Sequence, residues 1–221
     1  MNTLTTAPLE PLLNRLFQQA DAMSPRHSST LADISRDEMS RMMRSKTEYL
    51  DFYRRLKDFP LPVSRATGTL LYMLARTSEA RMIVEFGTSF GISTLHLAAA
   101  LRDNGGGRLI TSEFEPSKVA RARENLEAGG LLDLVEIREG DALQTLSVDM
   151  PETVDLLLLD GAKALYPEIL GLLEARLRPG AFVVADNANE NPEYVARMRS
   201  ASGDYLSIPF GDDVELSMRL G

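Results

Sequence analysis

From residue 81 to the C-terminus, short apolar blocks alternate with stretches of helical periodicity. The blocks at 82–86, 108–113, 135–138, 154–159 and 181–185 are each closed by a glycine or an acidic residue. The fourth, Val154-Asp-Leu-Leu-Leu-Leu159, is almost continuous in apolar character, the mark of a strand covered on both faces. Between them, 88–101, 116–128 and 166–176 read as helices, with Pro116 suited to a first helical turn. A further helix is expected over 192–200. Residues 205–209 and 213–220 alternate polar and apolar side chains, as antiparallel end strands do. This alternation predicts an α/β fold, a doubly wound, mostly parallel sheet with an antiparallel C-terminal strand.

No strand is expected before residue 79. Leu9 to Met23 carries apolar positions at helical spacing. Ser35-Arg-Asp-Glu38 reads as a capping box that opens a helix running to about Lys57. Pro60 and Pro62 end it, and a third helix is expected from Ser64 to Arg76. The whole chain, 1–221, then reads as one domain, with a helical cap over 1–78 and a cofactor-binding core over 79–221.

Composition narrows the partners. Of 221 residues, 24 are Lys or Arg and 32 are Asp or Glu, a net charge of -8. That balance opposes a nucleic acid or an anionic membrane as partner. Cysteine is absent, which excludes disulfides and thiolate chemistry. No apolar run is long enough for a transmembrane helix, and the first residues lack the pattern of a signal peptide, so a cytoplasmic protein is expected.

In open parallel sheets ligands bind beyond the carboxyl ends of the strands. After the first strand stands Glu85-Phe-Gly87-Thr-Ser-Phe-Gly91-Ile-Ser93. Its glycines let the backbone approach a ligand, and the following helix N-terminus favours an anionic group. It also reads as a plain strand–helix turn, and its glycine spacing differs from that of dinucleotide binders. Glu113, closing the second strand, is placed to accept both hydroxyls of a ribose, or is a solvated acid at a strand end. Glu115 is a rival in the same turn. Gly140-Asp141-Ala142 suits an adenine ring or a simple turn. The fourth and fifth strands end at Asp160 and at Asp186-Asn187. Three hard oxygen donors suit Mg²⁺ or a similar ion, and the same residue types also cap helices. Lys163 beside such an ion would be a general base; alone it would be a surface lysine. His96 and Met42-Met43 read as packing. His27 lies in a polar loop that suits a mobile lid.

Together these motifs resemble the class I S-adenosylmethionine-dependent methyltransferases. The resemblance is closest to the cation-dependent small O-methyltransferases typified by the catechol and caffeoyl-CoA enzymes and their bacterial relatives. It runs from about Leu61 to the C-terminus and includes the turn Pro209-Phe-Gly-Asp-Asp213. It implies a Rossmann-like fold and S-adenosylmethionine as cofactor, bound through Val63, Glu85, Gly87, Ser89, Gly91, Ser93, Glu113, Asp141, Ala142 and Asp160. Ser93 would touch the cofactor carboxylate. It also implies a divalent cation, Mg²⁺, on Asp160, Asp186 and Asn187, with Lys163 and Asp160 catalytic. The reaction implied is methylation of a hydroxyl on a small catechol-like or phenolic acceptor, by a homodimer. The chain departs from the family in the polar run Ala188-Asn-Glu-Asn-Pro192 and in the small Gly161 and Ala162 after Asp160. A nicotinamide oxidoreductase and a non-catalytic cofactor-binding protein on the same fold are the alternative readings.

Overall fold

A computed structural model describes residues 2–23, 34–201 and 203–221. The apolar blocks form β1 (Met82–Phe86), β2 (Arg108–Glu113), β3 (Val135–Glu139), β4 (Val154–Leu159) and β5 (Leu177–Ala185), and the alternating tail forms β6 (Tyr205–Phe210) and β7 (Val214–Arg219). The helices are α1 (Leu9–Ala22), α2 (Arg36–Arg44), α3 (Tyr49–Arg55), α4 (Arg65–Thr77), α5 (Ile92–Asp103), α6 (Pro116–Ala128), α7 (Ala142–Thr145), α8 (Tyr166–Leu173) and α9 (Pro192–Met198). The sheet order is β3-β2-β1-β4-β5-β7-β6. β1 through β5 are parallel, and β7 pairs antiparallel with both β5 and β6. The direction of winding reverses between β1 and β4, so a ligand site is expected at their carboxyl ends.

Side-chain alternation divides the sheet into two cores. Leu156 and Leu158 of β4 join the cluster under α1, α4, α5 and α6, while Leu157 and Leu159 join the one under α8 and α9. β1 follows the same rule, with Ile83 on the first face and Val84 and Phe86 on the second. Glu85 therefore lies on the Ile83 face, beneath α5. The parity that makes these strands good core material puts one carboxylate inside.

Three expected boundaries move. The single helix from Ser35 to Lys57 is two helices, α2 and α3. Ser45 leaves the helical conformation at ψ 128, and its hydroxyl accepts from Thr47 N and Glu48 N, closing the turn between the two helices instead of continuing the first. α8 ends at Leu173 in a 3-10 turn that occupies Glu174–Arg176. β5 starts at Leu177, four residues early: Leu177 pairs with Val154, a register shift follows, and Arg178 Nε donates to Asp155 at 2.6 Å.

α1 buries Leu9, Leu12, Leu13, Leu16 and Phe17, one helical stripe, in the core beneath α5 and α6. On sequence alone these apolar cap residues call for a partner surface; here they are spent inside the chain. The large apolar side chains left exposed include Leu206 and Ile208 on β6, Leu220 and Met73. Among the described residues, no helix is long and apolar enough to cross a membrane. The burial of α1 has a measurable consequence. Leu9 is 0% exposed, so Leu9→Ala should cost about 2–5 kcal/mol. Urea unfolding should give that loss independently of protein concentration; a loss that shrinks as concentration rises would place α1 at a subunit interface.

Candidate functional site

The loop after β1 is fixed from below. Glu85 is fully buried, and its carboxylate accepts from Ser93 Oγ at 2.6 Å, Thr94 Oγ1 at 2.6 Å and Thr111 Oγ1 at 2.7 Å. Two of these hydroxyls belong to the first turn of α5 and the third to β2, its register partner. Burial pushes the carboxyl up to about 7, against the pull of the three hydroxyls. Above the acid, Gly87 turns the chain at φ 101. A Cβ there would lie 2.6–2.7 Å from the Asp160–Gly161 backbone, so only glycine fits. Gly91, at φ 83, is the N-cap residue of α5.

Glu113 lies at the end of β2, 8% exposed. Its Oε2 accepts from Ser89 N at 2.9 Å and its Oε1 from Glu115 N at 3.1 Å. Each oxygen keeps lone pairs for a second donor, which suits a vicinal diol. The rival Glu115 is occupied locally, accepting from Ser117 Oγ at 2.9 Å. Beyond β3, Gly140 turns at φ 133 and Asp141 caps α7, accepting from Leu143 N at 2.9 Å. α7 is an element the sequence pattern did not suggest; its four residues are too short to show a period.

The opposite side carries the second set of acids. Asp160 Oδ1 accepts from Lys163 Nζ at 2.9 Å, and both side chains are almost wholly covered. Asp186 is 7% exposed, and its backbone carbonyl accepts from the buried Tyr166 hydroxyl at 2.7 Å. Burial, then the charge of Asp160, pushes Asp186 up to about 8. Burial also raises Asp160, with Lys163 pulling the other way. Lys163 is disfavoured by burial, yet Asp160, Tyr166, Tyr53 and Asp186 outweigh it and hold the ammonium well above the ordinary lysine range. Asn187 sits at φ 49 and donates from Nδ2 to Asp213 Oδ2 at 2.9 Å.

Part of this set shares one cleft; Lys163, Asp186 and Asn187 are not among its lining residues. Gly87, Ser89, Glu113, Asp141, Ala142 and Asp160 line it. Glu85, Gly91 and Ser93 are not lining residues; they belong to the framework of the loop. Several lining residues escape the sequence reading, four of them aromatic or charged. Tyr49 and Tyr53 come from α3, Phe114 follows β2, and Lys118 is a lysine only 4% exposed. His96 is buried, with Nδ1 2.8 Å from Ile92 O and its ring edge-on to Phe17, a packing histidine. Met42 is buried with Phe52 and Leu56 in the small core of the cap. His27 and its loop lie outside the described residues.

Comparison with known proteins gives this geometry a family. Residues 84–188 match the family model described as a methyltransferase domain. A catechol O-methyltransferase of Niastella koreensis is 38% identical over 130 residues, covering 58% of each chain. The chain spans 57–58% of the length of this and the two next curated relatives. A protein of Mycobacteroides abscessus whose name places it among the O-methyltransferases is 35% identical over 176 residues, 72% of this chain and 81% of its own. The chain belongs to the class I O-methyltransferase family. A solved O-methyltransferase of Streptomyces achromogenes, involved in tomaymycin synthesis and in complex with SAM, superposes with a TM-score of 0.65 at 28% identity, over 92% of this chain and 99% of that one.

Within this methyltransferase frame, two expected cofactor residues are placed differently from the rest. Val63 is 1% exposed, packed in the core and absent from the cleft lining, so a contact from it would run through its backbone. Ser93 gives its hydroxyl proton to Glu85, which leaves its backbone N–H, in the first turn of α5, as the donor for an anion. Among the described residues no three His, Cys, Asp or Glu side chains are grouped to hold a metal; the expected set is two carboxylates and an amide. The two carboxylates and the amide are hard oxygen donors of the kind a divalent cation takes; burial raises both acids, and the charge of Asp160 raises Asp186 further.

Glu85 yields a test of the framework. The folded chain holds its proton up to about pH 7, and the unfolded chain releases it near 4.5. Ionisation of this group therefore costs stability progressively as pH rises from about 4.5 to about 7. Glu85→Gln removes the titration. Its unfolding free energy, measured in urea across that range, should gain on the parent by about 3 kcal/mol with rising pH. Parallel curves for the two proteins would contradict the buried, raised carboxyl.

Proposed function

We propose that this protein transfers a methyl group from S-adenosylmethionine to a hydroxyl oxygen of a small catechol-like or phenolic acceptor, with a divalent cation at Asp160, Asp186 and Asn187. The observation that carries the reading is that Glu113, read as the ribose acceptor, and Asp160, one of the three proposed cation ligands, line the same cleft. Family membership favours methyl transfer over nicotinamide chemistry on the same sheet. The names of the catechol O-methyltransferase relatives favour a catechol-like acceptor. Tyr49 and Tyr53 line the cleft from the cap and suit a planar aromatic ring.

When bound, the cofactor supplies a methyl group on a sulfonium, and the cation supplies a Lewis acid that favours an ionised acceptor hydroxyl. The chain's residues bind and orient. Glu113 accepts the ribose hydroxyls, and the first turn of α5 offers N–H donors to the methionyl carboxylate. Gly140 to Ala142 form a shallow wall for the adenine. Asp160, Asp186 and Asn187 hold the cation. Lys163 stands beside Asp160 and, as the neutral amine, would take the acceptor's proton. Helix α3 covers the cleft with Tyr49, Leu50 and Tyr53, and the assembly is read as a homodimer in the cytoplasm.

Two outcomes follow. EDTA should abolish methylation of a catechol acceptor, and Mg²⁺ or Mn²⁺ should restore it in the parent but not in Asp160→Ala. Binding of S-adenosylhomocysteine to the parent, followed by calorimetry, should survive EDTA. Full turnover in EDTA would remove the cation from the mechanism. Lys163→Met should lower kcat by about 10²–10⁴-fold with little change in cofactor affinity. A loss below about threefold would mean that Lys163 serves only to neutralise Asp160.

A further inference from the structure

One charge in the cleft has no task in this scheme. Lys118, in the first turn of α6, is 4% exposed, although lysine is among the residue types least often buried. Its Nζ stands 3.5 Å from Ser89 Oγ and 5.9 Å from the centre of the Phe90 ring. Ser89 Oγ accepts from Leu61 N at 3.1 Å, and Ser89 N donates to Glu113 Oε2 at 2.9 Å. Asn125 Nδ2 pins Phe90 O at 2.9 Å from the same helix. The ammonium, the glycine loop and Glu113 thus form one continuous wall of the cleft.

We propose that Lys118 is a positioning residue for the cofactor: its buried ammonium, with the Ser89 it touches, holds the Glu113 carboxylate as a double acceptor for the two ribose hydroxyls. The inference rests on the reading of Glu113 as the ribose acid. Two of the carboxylate's lone-pair sites are taken by Ser89 N and Glu115 N, and the rest must all accept if both hydroxyls are to be held. A proton on Glu113 would convert one acceptor into a donor. Burial favours that proton, and the charge of Lys118 is the foremost influence against it, ahead of the N–H groups of Glu115, Ser89 and Phe114. Lys118 in turn is pulled down by burial and supported by Glu113, Glu115, Asp160 and Asp58. A lysine serving only to pack its stem on Phe90 would leave Glu113 indifferent to its charge.

The test is the affinity for S-adenosylhomocysteine, by calorimetry at about pH 6 and about pH 8.5, bracketing neutrality. The proteins are the parent, Lys118→Met, Lys118→Arg and Glu113→Gln. Lys118→Met should bind roughly tenfold more weakly than the parent at the lower pH and lose less at the higher, because removing the ammonium favours the proton on Glu113. Lys118→Arg should follow the parent at both. Glu113→Gln should be weak at both. An equal loss at both pH values in Lys118→Met, or none, overturns the proposal. Glu113→Gln binding like the parent overturns the ribose reading itself, whereas a weak Glu113→Gln beside an unaffected Lys118→Met overturns only the role of Lys118. Thermal unfolding without ligand checks each fold, and Lys118→Gln replaces the Met variant if the latter does not fold.

Discussion

The buried carboxylate of Glu85 is the constraint on which the cofactor side of this molecule depends. It lies at a strand position that parity turns toward α5, where a charged group is costly unless it is hydrogen-bonded. Three hydroxyls meet it, two from the first turn of α5 and one from β2. Those bonds fix where α5 starts relative to β1, and so fix the glycine loop between them. Thr88 extends the set through a 2.6 Å contact with Thr111. The loop needs a rigid floor because its own residues are held open: Gly87 and Gly91 at positive φ, with Ser89 beside them at φ 47. Strain of this kind persists only where the surroundings enforce it.

The acceptor side is held by different forces. Helices α2 and α3 pack a small core of Met42, Phe52 and Leu56, and they meet the rest through Tyr49 and Tyr53, packed against the second core, and through ion pairs, Arg44 with Glu190 at 3.2 Å and Lys46 with Glu168. Such pairs contribute little by themselves. They also explain the polar run that replaces apolar residues after Asn187. Glu190 is occupied by Ser40 and Arg44. Asn191 caps α9 through Tyr194 N and donates to Lys163 O at 2.9 Å. The segment's polarity serves the cap and the lysine turn rather than offering unpaired groups to an acceptor.

Much of the fold was legible because a parallel sheet leaves long apolar blocks, each closed by glycine or an acid. The acids Glu113, Asp160 and Asp186 were legible for the same reason, since strand ends announce them. What was hidden came from the third dimension. Nothing in the sequence says that Lys118 is covered, because its burial is made by Phe90 and Ser89 from another loop. Tyr49 and Tyr53 reach the cleft only because Ser45 breaks one long helical pattern into two, and a serine inside a polar helix carries no such warning. The early start of β5 depends on Asp155 gripping Arg178 across strands, a pairing invisible to periodicity.

The close meeting of β1 and β4 has a consequence for variation. A Cβ at Gly161 would run into the ring of Phe86, and one at Gly87 into the backbone of Asp160 and Gly161. Positions 86, 87 and 161 therefore share one volume, and substitutions among them will not add. A larger residue at 161 is compatible only with a smaller side chain at 86, so the two positions must drift together. The aromatic neighbour under Asp160 and the small residues after it are a single inherited choice, and any redesign of the acceptor side near Gly161 begins on the neighbouring strand.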